Sequence, residues 1–567
     1  MSFRGGEPER PRRLPLPPLD TTLDRYLAIV RPLLTETGFA ATQAAADAFR
    51  QDGRGLQRAL RRIAGRRDGD YVGGFWRQMY LERREPLAPF QNCGLLLRYP
   101  QAVAGLDLAT RAALLAAATM AEARRLRVAT DDGPFCARQP RAIFGSTRLP
   151  GAAVDRLVHT DRCQHIVVAC RGRLHRVAMP ARRSAPDQAA ALGRLFRALL
   201  DDRRPGDGAG VLTTLPRSEW RRAREQLLAA PGNRRALTAI ERSAFLVCLE
   251  PDLPGADRAA LCDIILDGDA ANRWYDKVCQ IIVPDGPYFG VNAEHTPMDG
   301  HAGCALAEAV CSRLPSLASL PRAARPAPAR EIRFDLAAVA AMVEAARAGV
   351  AARRGLVRRA VFDVPGGTGS LRDDVMTQLA VQLAYRTHAG EVAAVYQPTH
   401  MRRYRRGRTE AVRSATAAAI GFAKAATDET APRGALRDLA RQAVREILER
   451  GRDAQAGRGV DRHLYALFRL AEQRGEMPAL FADPAYAQVL GPAILCTSSL
   501  APFPHLELVI FAPVRADGFG IGYVPQPGRT AFCLTGYRPD TPAFAAAVAV
   551  AMRRVRNLLT GAGGAAP

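Results

Sequence analysis

Lysine is nearly missing from this chain of 567 residues. Only Lys277 and Lys424 are lysines, so the formal charge of +24 rests almost wholly on arginine. Cysteine pairing patterns are missing too: the 11 cysteines include no C-x-x-C pair. That spacing excludes the usual zinc and disulfide frameworks and points to a reducing cytoplasm. No stretch approaches the 18 uninterrupted apolar residues that a membrane span needs. The charged start, Met1 to Arg13, has no apolar run behind it, so no secretory leader is expected. No repeat of fixed period is present, and no Ser-His-Asp arrangement stands out.

What is present suits a large folded protein. With 48% hydrophobic residues the chain can bury more than one core. Heavy alanine, arginine and glycine usage points to a GC-rich bacterial genome, so part of the arginine excess is compositional. The positive field would still attract anions: nucleotides, coenzyme A, an acidic carrier protein or nucleic acid. Residues 1–19 are rich in proline and arginine and are expected to be loose. Helical patterns follow over 20–90, beginning with a helix Leu23 to Leu34 capped by Thr21 or Thr22. Strands and helices alternate over 91–317. Four prolines between Leu314 and Glu331 suggest a linker at 318–332, and a second α/β set fills 333–567. The expected strands there are Ala493 to Cys496, Glu507 to Phe511, Gly520 to Tyr523 and Ala531 to Leu534.

One histidine stands out. The apolar run Val278 to Val283, the turn Pro284-Asp-Gly286 and the run Tyr288 to Ala293 predict a hairpin. Its return strand delivers His295, after which Asp299-Gly300 opens a helix. An imidazole at a strand end suits general-base work. Taken alone it is more readily a structural histidine. Glu294 and His301 beside it form no known zinc spacing.

Several segments decide between these readings. LPLPPLDTTLDRYL (14–27), REPLAPFQN (84–92), RAIFGSTRLPG (141–151), ANRWYDK (271–277) and NAEHTPMDG (292–300) occur in that order. QLAVQLAY (378–385), GRTEAVRSAT (407–416), DRHL (461–464) and CTSS (496–499) follow. Together they resemble the carnitine/choline O-acyltransferase family over almost the whole chain. The resemblance implies two chloramphenicol acetyltransferase-like α/β domains, each a mixed sheet with flanking helices, and an active-site tunnel at their interface. The helices of 20–90 would pack on the second domain, which would bind coenzyme A and the acceptor.

By the same resemblance His295 is the general base and Ser498 donates to the oxyanion. Asp299 is structural, held by an arginine. Tyr396, Thr409 and Arg462 would hold a carnitine carboxylate, Arg462 disfavouring choline; the alternative for Arg462 is an ion pair with Asp299 or Asp461. Cys496 replaces the first serine of the Ser-Thr-Ser motif and is a weaker donor. Phe511 would face a trimethylammonium group, or else is a core residue, and Val509 would limit the acyl pocket. Carnitine, or another hydroxylated acid, is thus the expected acceptor and acyl-coenzyme A the co-substrate, with no bound cofactor and no metal.

The departure lies at the thioester donor. The family's phosphate-binding lysines align, by way of Asp374, with Asp363 and Gly367. Arg358 and Arg359, with Arg353 and Arg354, would substitute for them; alternatively the donor is an acyl carrier protein. The run Arg402 to Arg408 has the composition of a nucleic-acid patch, but it lies inside the family-like stretch Tyr396 to Thr416, and the same charges suit coenzyme phosphates.

Overall fold

A computed structural model describes residues 10–560 apart from 67–68, 130–132, 254–256, 319–324 and 501–502. Before residue 333 lie β1 (Cys93–Arg98), β2 (Ser146–Leu149), β3 (Arg156–His159), β4 (His165–Cys170), β5 (Arg173–Ala178), β6 (Leu246–Glu250), β7 (Cys279–Pro284), β8 (Tyr288–Ala293) and β9 (Ala329–Ile332). After it lie β10 (Arg358–Thr368), β11 (Val395–His400), β12 (Thr409–Val412), β13 (Leu495–Ser499), β14 (Leu506–Ile510) and β15 (Phe519–Gly536). They form two mixed sheets and a small β2–β3 hairpin. The larger sheet runs β14-β1-β8-β7-β6-β4-β5-β9 and the smaller β10-β15-β13-β11-β12. Helices flank both, so the molecule is a mixed α/β protein.

In the larger sheet β4, β6 and β7 pair in parallel, and every residue of all three is buried. Strands covered on both faces read as continuous apolar runs, which is why these stretches carry so little polar alternation. Ile166, Val168 and Val247 face a core shared with the alanine-rich helix Leu108–Val128. Val167, Ala169 and Leu246 face the opposite core with Trp220 and Trp274. Asp107 caps the helix Leu108–Val128 through Thr110 N at 3.1 Å, worth about 1 kcal/mol. In the second unit Ser370 and Asp373 form a capping box for the helix Leu371–Ala389, and Gly390 ends it at φ 74°.

β7 and β8 form the expected hairpin, with Cys279 opposite Ala293 and Gly286 at φ 119° in the turn. Side-chain amides beneath it fix its position. Asn92 Nδ2 donates to Asn292 Oδ1 at 2.9 Å, and Asn292 Nδ2 to Ile265 O at 2.9 Å. Gln280 Oε1 accepts from Trp274 N at 2.7 Å.

Four expectations need correction. The strand expected at 507–511 in the second unit is β14, and it closes the edge of the first sheet by pairing antiparallel with β1. Its Leu508 and Ile510 complete an apolar core on that side that the first unit leaves open. The two short strands expected within 520–534 are both present as the arms of β15, which doubles back at Gly528 (φ 84°) so that Thr535 Oγ1 donates to Gly520 O at 3.2 Å; the first arm is parallel to β13 and the second antiparallel to β10. The first helix spans Leu19–Val30, and Thr22 lies inside it with Oγ1 2.8 Å from His463 Nδ1. Residues 10–18 are anchored: Arg12 N donates to Arg403 O at 3.1 Å, while 1–9 lie outside the described residues. The expected linker is partly outside them as well, and its end is β9, paired with β5. The N-terminal helices share a core with the helix Asp461–Gln473 through Leu23, Phe49, Leu60, Leu464 and Leu467.

Candidate active site

His295 lies two residues beyond β8, where the chain leaves the sheet for the helix Gly300–Ala318. Its Nδ1 is 2.7 Å from Met298 O. A carbonyl only accepts, so Nδ1 carries the proton and Nε2 keeps its lone pair. The ring stacks on Tyr80, with centroids 5.1 Å apart and planes at 22°. The side chain keeps 27% of its surface exposed, enough for a reactant to approach.

Asp299 does not complete a relay to this imidazole; its nearest oxygen is 3.9 Å from Nδ1. It is clamped by Arg408, whose Nε and Nη2 donate to the two carboxylate oxygens at 2.8 and 3.1 Å. Burial would raise this carboxyl, but the Arg408 guanidinium outweighs burial and holds it below the usual range. Arg408 also donates to Thr296 O at 2.6 Å and His295 O at 3.1 Å. One guanidinium from the second unit therefore fixes the whole histidine turn of the first.

Tyr396 on β11, Thr409 on β12 and Arg462 at the start of the helix Asp461–Gln473 come together. Arg462 Nη2 donates to Tyr396 Oη at 2.8 Å and Thr409 Oγ1 at 3.0 Å, and its Nε to Thr409 O at 2.9 Å. Both hydroxyls accept there, which leaves their own protons to donate elsewhere. Asp461 pairs instead with Arg413, and Asp299 with Arg408. Neither ion-pair alternative for Arg462 is realised. Burial opposes the Arg462 charge, yet Tyr396, Glu410 and Asp461 around it raise its pKa. Burial likewise raises the Tyr396 phenol, which stays protonated. The cluster is a set of donors around a fixed positive charge, suited to a carboxylate.

On β13 the side chains alternate. Thr497 faces the helix Leu371–Ala389 and accepts from Gln378 Nε2 at 3.0 Å. Cys496 and Ser498 therefore face the other way, beside Gly520 and Gly522 of β15. Phe511 lies over Gly520, and Val509 abuts Gly522, where an added Cβ would fall 2.0 Å from Val509 O. Cys496, Ser498, Val509 and Phe511 thus share one face. Burial raises the Cys496 thiol to about 12, so it stays neutral. Leu500, just beyond β13, packs against Gly300 at the foot of the histidine turn: a Cβ there would be 2.8 Å from Leu500 Cδ1.

The residues expected at the thioester phosphates are placed differently. Arg359 is mostly buried and pairs with Asp263 and Asp267, so its charge is already used. Asp374 lies in an internal network with Tyr523 Oη at 2.6 Å, Gln397 Nε2 at 2.8 Å and Ser499, rather than at a phosphate site. Arg358 is exposed on β10. Asp363 itself receives Arg258 at 2.9 Å and Arg529 at 2.6 Å.

Sequence reasoning passed over Trp76 and Tyr80 on the helix Gly73–Glu82. The Arg462 guanidinium lies 3.7 Å from the Trp76 ring centroid, a cation–π contact worth about 0.5–2 kcal/mol. Their i, i+4 spacing puts both on one helix face, a signal that core aromatics give equally. Arg408 was read only as part of a basic run. Glu294 and His301 are occupied elsewhere. Glu294 accepts from Thr296 Oγ1 at 2.5 Å, and Arg402 Nη1 lies 3.0 Å from His301 Nδ1. Among the described residues no group of three or more His, Cys, Asp or Glu is placed to hold a metal, and no helix is long and apolar enough to cross a membrane.

Sequence comparison gives this geometry its class. The chain is 28% identical to carnitine O-acetyltransferase of Rattus norvegicus, over 95% of this chain and 91% of that one. It is 30% identical to choline O-acetyltransferase of Homo sapiens, over 96% and 79%. A mitochondrial carnitine O-palmitoyltransferase 2 of Bos taurus is 27% identical, over 91% and 86%. The protein is an acyltransferase. The Choline/Carnitine o-acyltransferase family model matches residues 14–549, and the chain belongs to that family.

Proposed function

We propose that this enzyme moves acyl groups between acyl-coenzyme A and the hydroxyl of carnitine, with His295 as general base and no acyl-enzyme. The observation that carries the acceptor is the Tyr396–Thr409–Arg462 cluster, whose donors and fixed charge suit a carboxylate. A cationic acceptor lacking that carboxylate, such as choline, would meet the Arg462 charge with no anionic group of its own to pair with it. With Nδ1–H donated to Met298 O, the lone pair on His295 Nε2 takes the acceptor's hydroxyl proton. The freed oxygen attacks the thioester carbonyl. Ser498 donates to the resulting oxyanion, a contribution of about 2.7–4 kcal/mol for such a donor. Collapse expels the thiolate, which recovers the proton from His295. Acceptor and thioester would approach from opposite ends of a tunnel between the units, and Val509 would favour short to medium chains. The carrier-protein donor gains no support from the relatives.

The test is thiol release from acetyl- and octanoyl-coenzyme A with carnitine, with choline and with no acceptor. Carnitine-dependent release is expected, falling at least about 100-fold in His295→Ala. Release with choline alone, or full activity in that variant, would refute the assignment.

A further inference from the structure

A cavity of about 1010 Å³ is not lined by His295, Ser498 or Arg462. It opens between the β2–β3 hairpin, the helix Gly73–Glu82 and the loop after β11. Seven arginines line it: Arg10, Arg77, Arg138, Arg141, Arg156, Arg405 and Arg406. Two acids share the wall, too few to offset that charge. Asp155 already accepts from Arg84 at 2.8 Å, Arg148 at 2.8 Å and Arg217 at 2.6 Å, all outside the lining. Asp161 faces His159 Nε2 at 2.9 Å. Among the described residues no carboxylate pairs with Arg77, Arg138 or Arg156.

The arginines are held where they crowd one another. Burial first, then the nearby Arg406 and Arg77, pull Arg138 below its ordinary pKa. Arg406 sits at φ 57°, a left-handed backbone that residues other than glycine seldom adopt. Its turn is pinned: Gly407 N donates to Tyr404 O at 3.0 Å, and Arg406 N to Cys136 Sγ at 3.4 Å. Such strain gathers where a side chain must be presented in one place.

We propose that this cleft is a binding site for a phosphate-bearing small molecule with several negative charges, separate from the acyl-transfer centre. Guanidinium forks match phosphate oxygens two at a time. The cavity is of the size that encloses a ligand, which favours a small molecule over a nucleic-acid strand. No Phe, Tyr or Trp lines it to stack a base, and the one imidazole, His159, is engaged by Asp161, so charge and not a nucleobase would be recognised. The cleft shares two walls with the reaction centre. Arg77 follows Trp76, which lies under Arg462, and Arg406 lies two residues before the Arg408 clamp.

The experiment is calorimetric titration of the full chain with inorganic tripolyphosphate at physiological ionic strength. Wild type is expected to bind saturably, and R77Q/R138Q/R156Q at least tenfold more weakly. The control R437Q/R441Q/R445Q removes the same charge from the exposed face of the helix Arg433–Gln455 and should bind like wild type. His295→Ala, which disables the proposed chemistry, should also bind like wild type, so the result stands apart from the acyl-transfer assignment. No saturable binding by wild type, or equal weakening by both triple variants, overturns the site. Equal weakening would leave only the general field of a chain with net charge +24.

Discussion

Arg462 organises three features at once: two hydroxyls, a carbonyl and the face of Trp76. Replacing it with asparagine removes the charge and shortens the reach. The loss of a charged hydrogen bond to the acceptor is about 1.5–3 kcal/mol, so the KM for carnitine should rise roughly ten- to a hundredfold, with kcat less affected. Steady-state kinetics at saturating acyl-coenzyme A checks this, and an unchanged KM would remove the carboxylate from the cluster. The cluster was legible in the sequence because its residues lie in recognisable segments, GRTEAVRSAT and DRHL among them. Arg408 was less legible. The run Arg402 to Arg408 looks uniform, yet folding sends Arg408 to Asp299, Arg402 to His301 and Arg405 and Arg406 to a cleft. Composition cannot sort charges that only tertiary contacts separate.

Two predictions belong to single strands. Glu410 on β12 is buried, and burial pushes it up to about 7 against the pull of Arg462. A carboxyl raised above its unfolded value of about 4.3 binds more protons in the folded state. Stability therefore falls as pH rises from about 4.3 through 7. In Glu410→Gln that contribution vanishes. Melting temperatures at pH 5 and pH 8 should then lie closer together than in wild type, and a larger gap would contradict the buried-acid account. On β15, Gly522 admits the close approach of β14. Gly522→Ala would put a Cβ 2.0 Å from Val509 O. Overpacking of that kind costs about 1–3 kcal/mol, seen as a lowered midpoint in denaturant with an unchanged slope. Equal stability would show that the two strands can separate freely. Several family-like segments meet in one buried ion network, where Arg148 and Arg217 share Asp155 and Arg217 reaches Asp276 at 2.7 Å. Much of what made the chain recognisable is thus scaffold, and the resemblance located the reaction centre through its supports.

The two sheets belong to one cooperative body. β14 crosses from the second half of the chain to close the first sheet, Arg408 reaches back to hold the histidine turn, and the N-terminal helices share a core with residues beyond 460. We expect a single calorimetric transition for the intact chain. Two well-separated endotherms would mean that these crossings contribute little. The sequence suggested two units because linker composition and strand runs are local signals. An edge strand supplied from far along the chain leaves no such signal, since its apolar residues suit either sheet.

That borrowed strand has a consequence for how the protein is made. Leu95 and Val509 are partners in one ladder, although more than four hundred residues separate them in the chain. At about 5–20 residues per second of synthesis, β1 emerges from the ribosome some 20–80 seconds before β14. For that time its hydrogen-bonding edge is open, a ready template for any other extended chain nearby. The nascent protein therefore passes through an adhesive stage that ends only once Leu506 to Ile510 have been made.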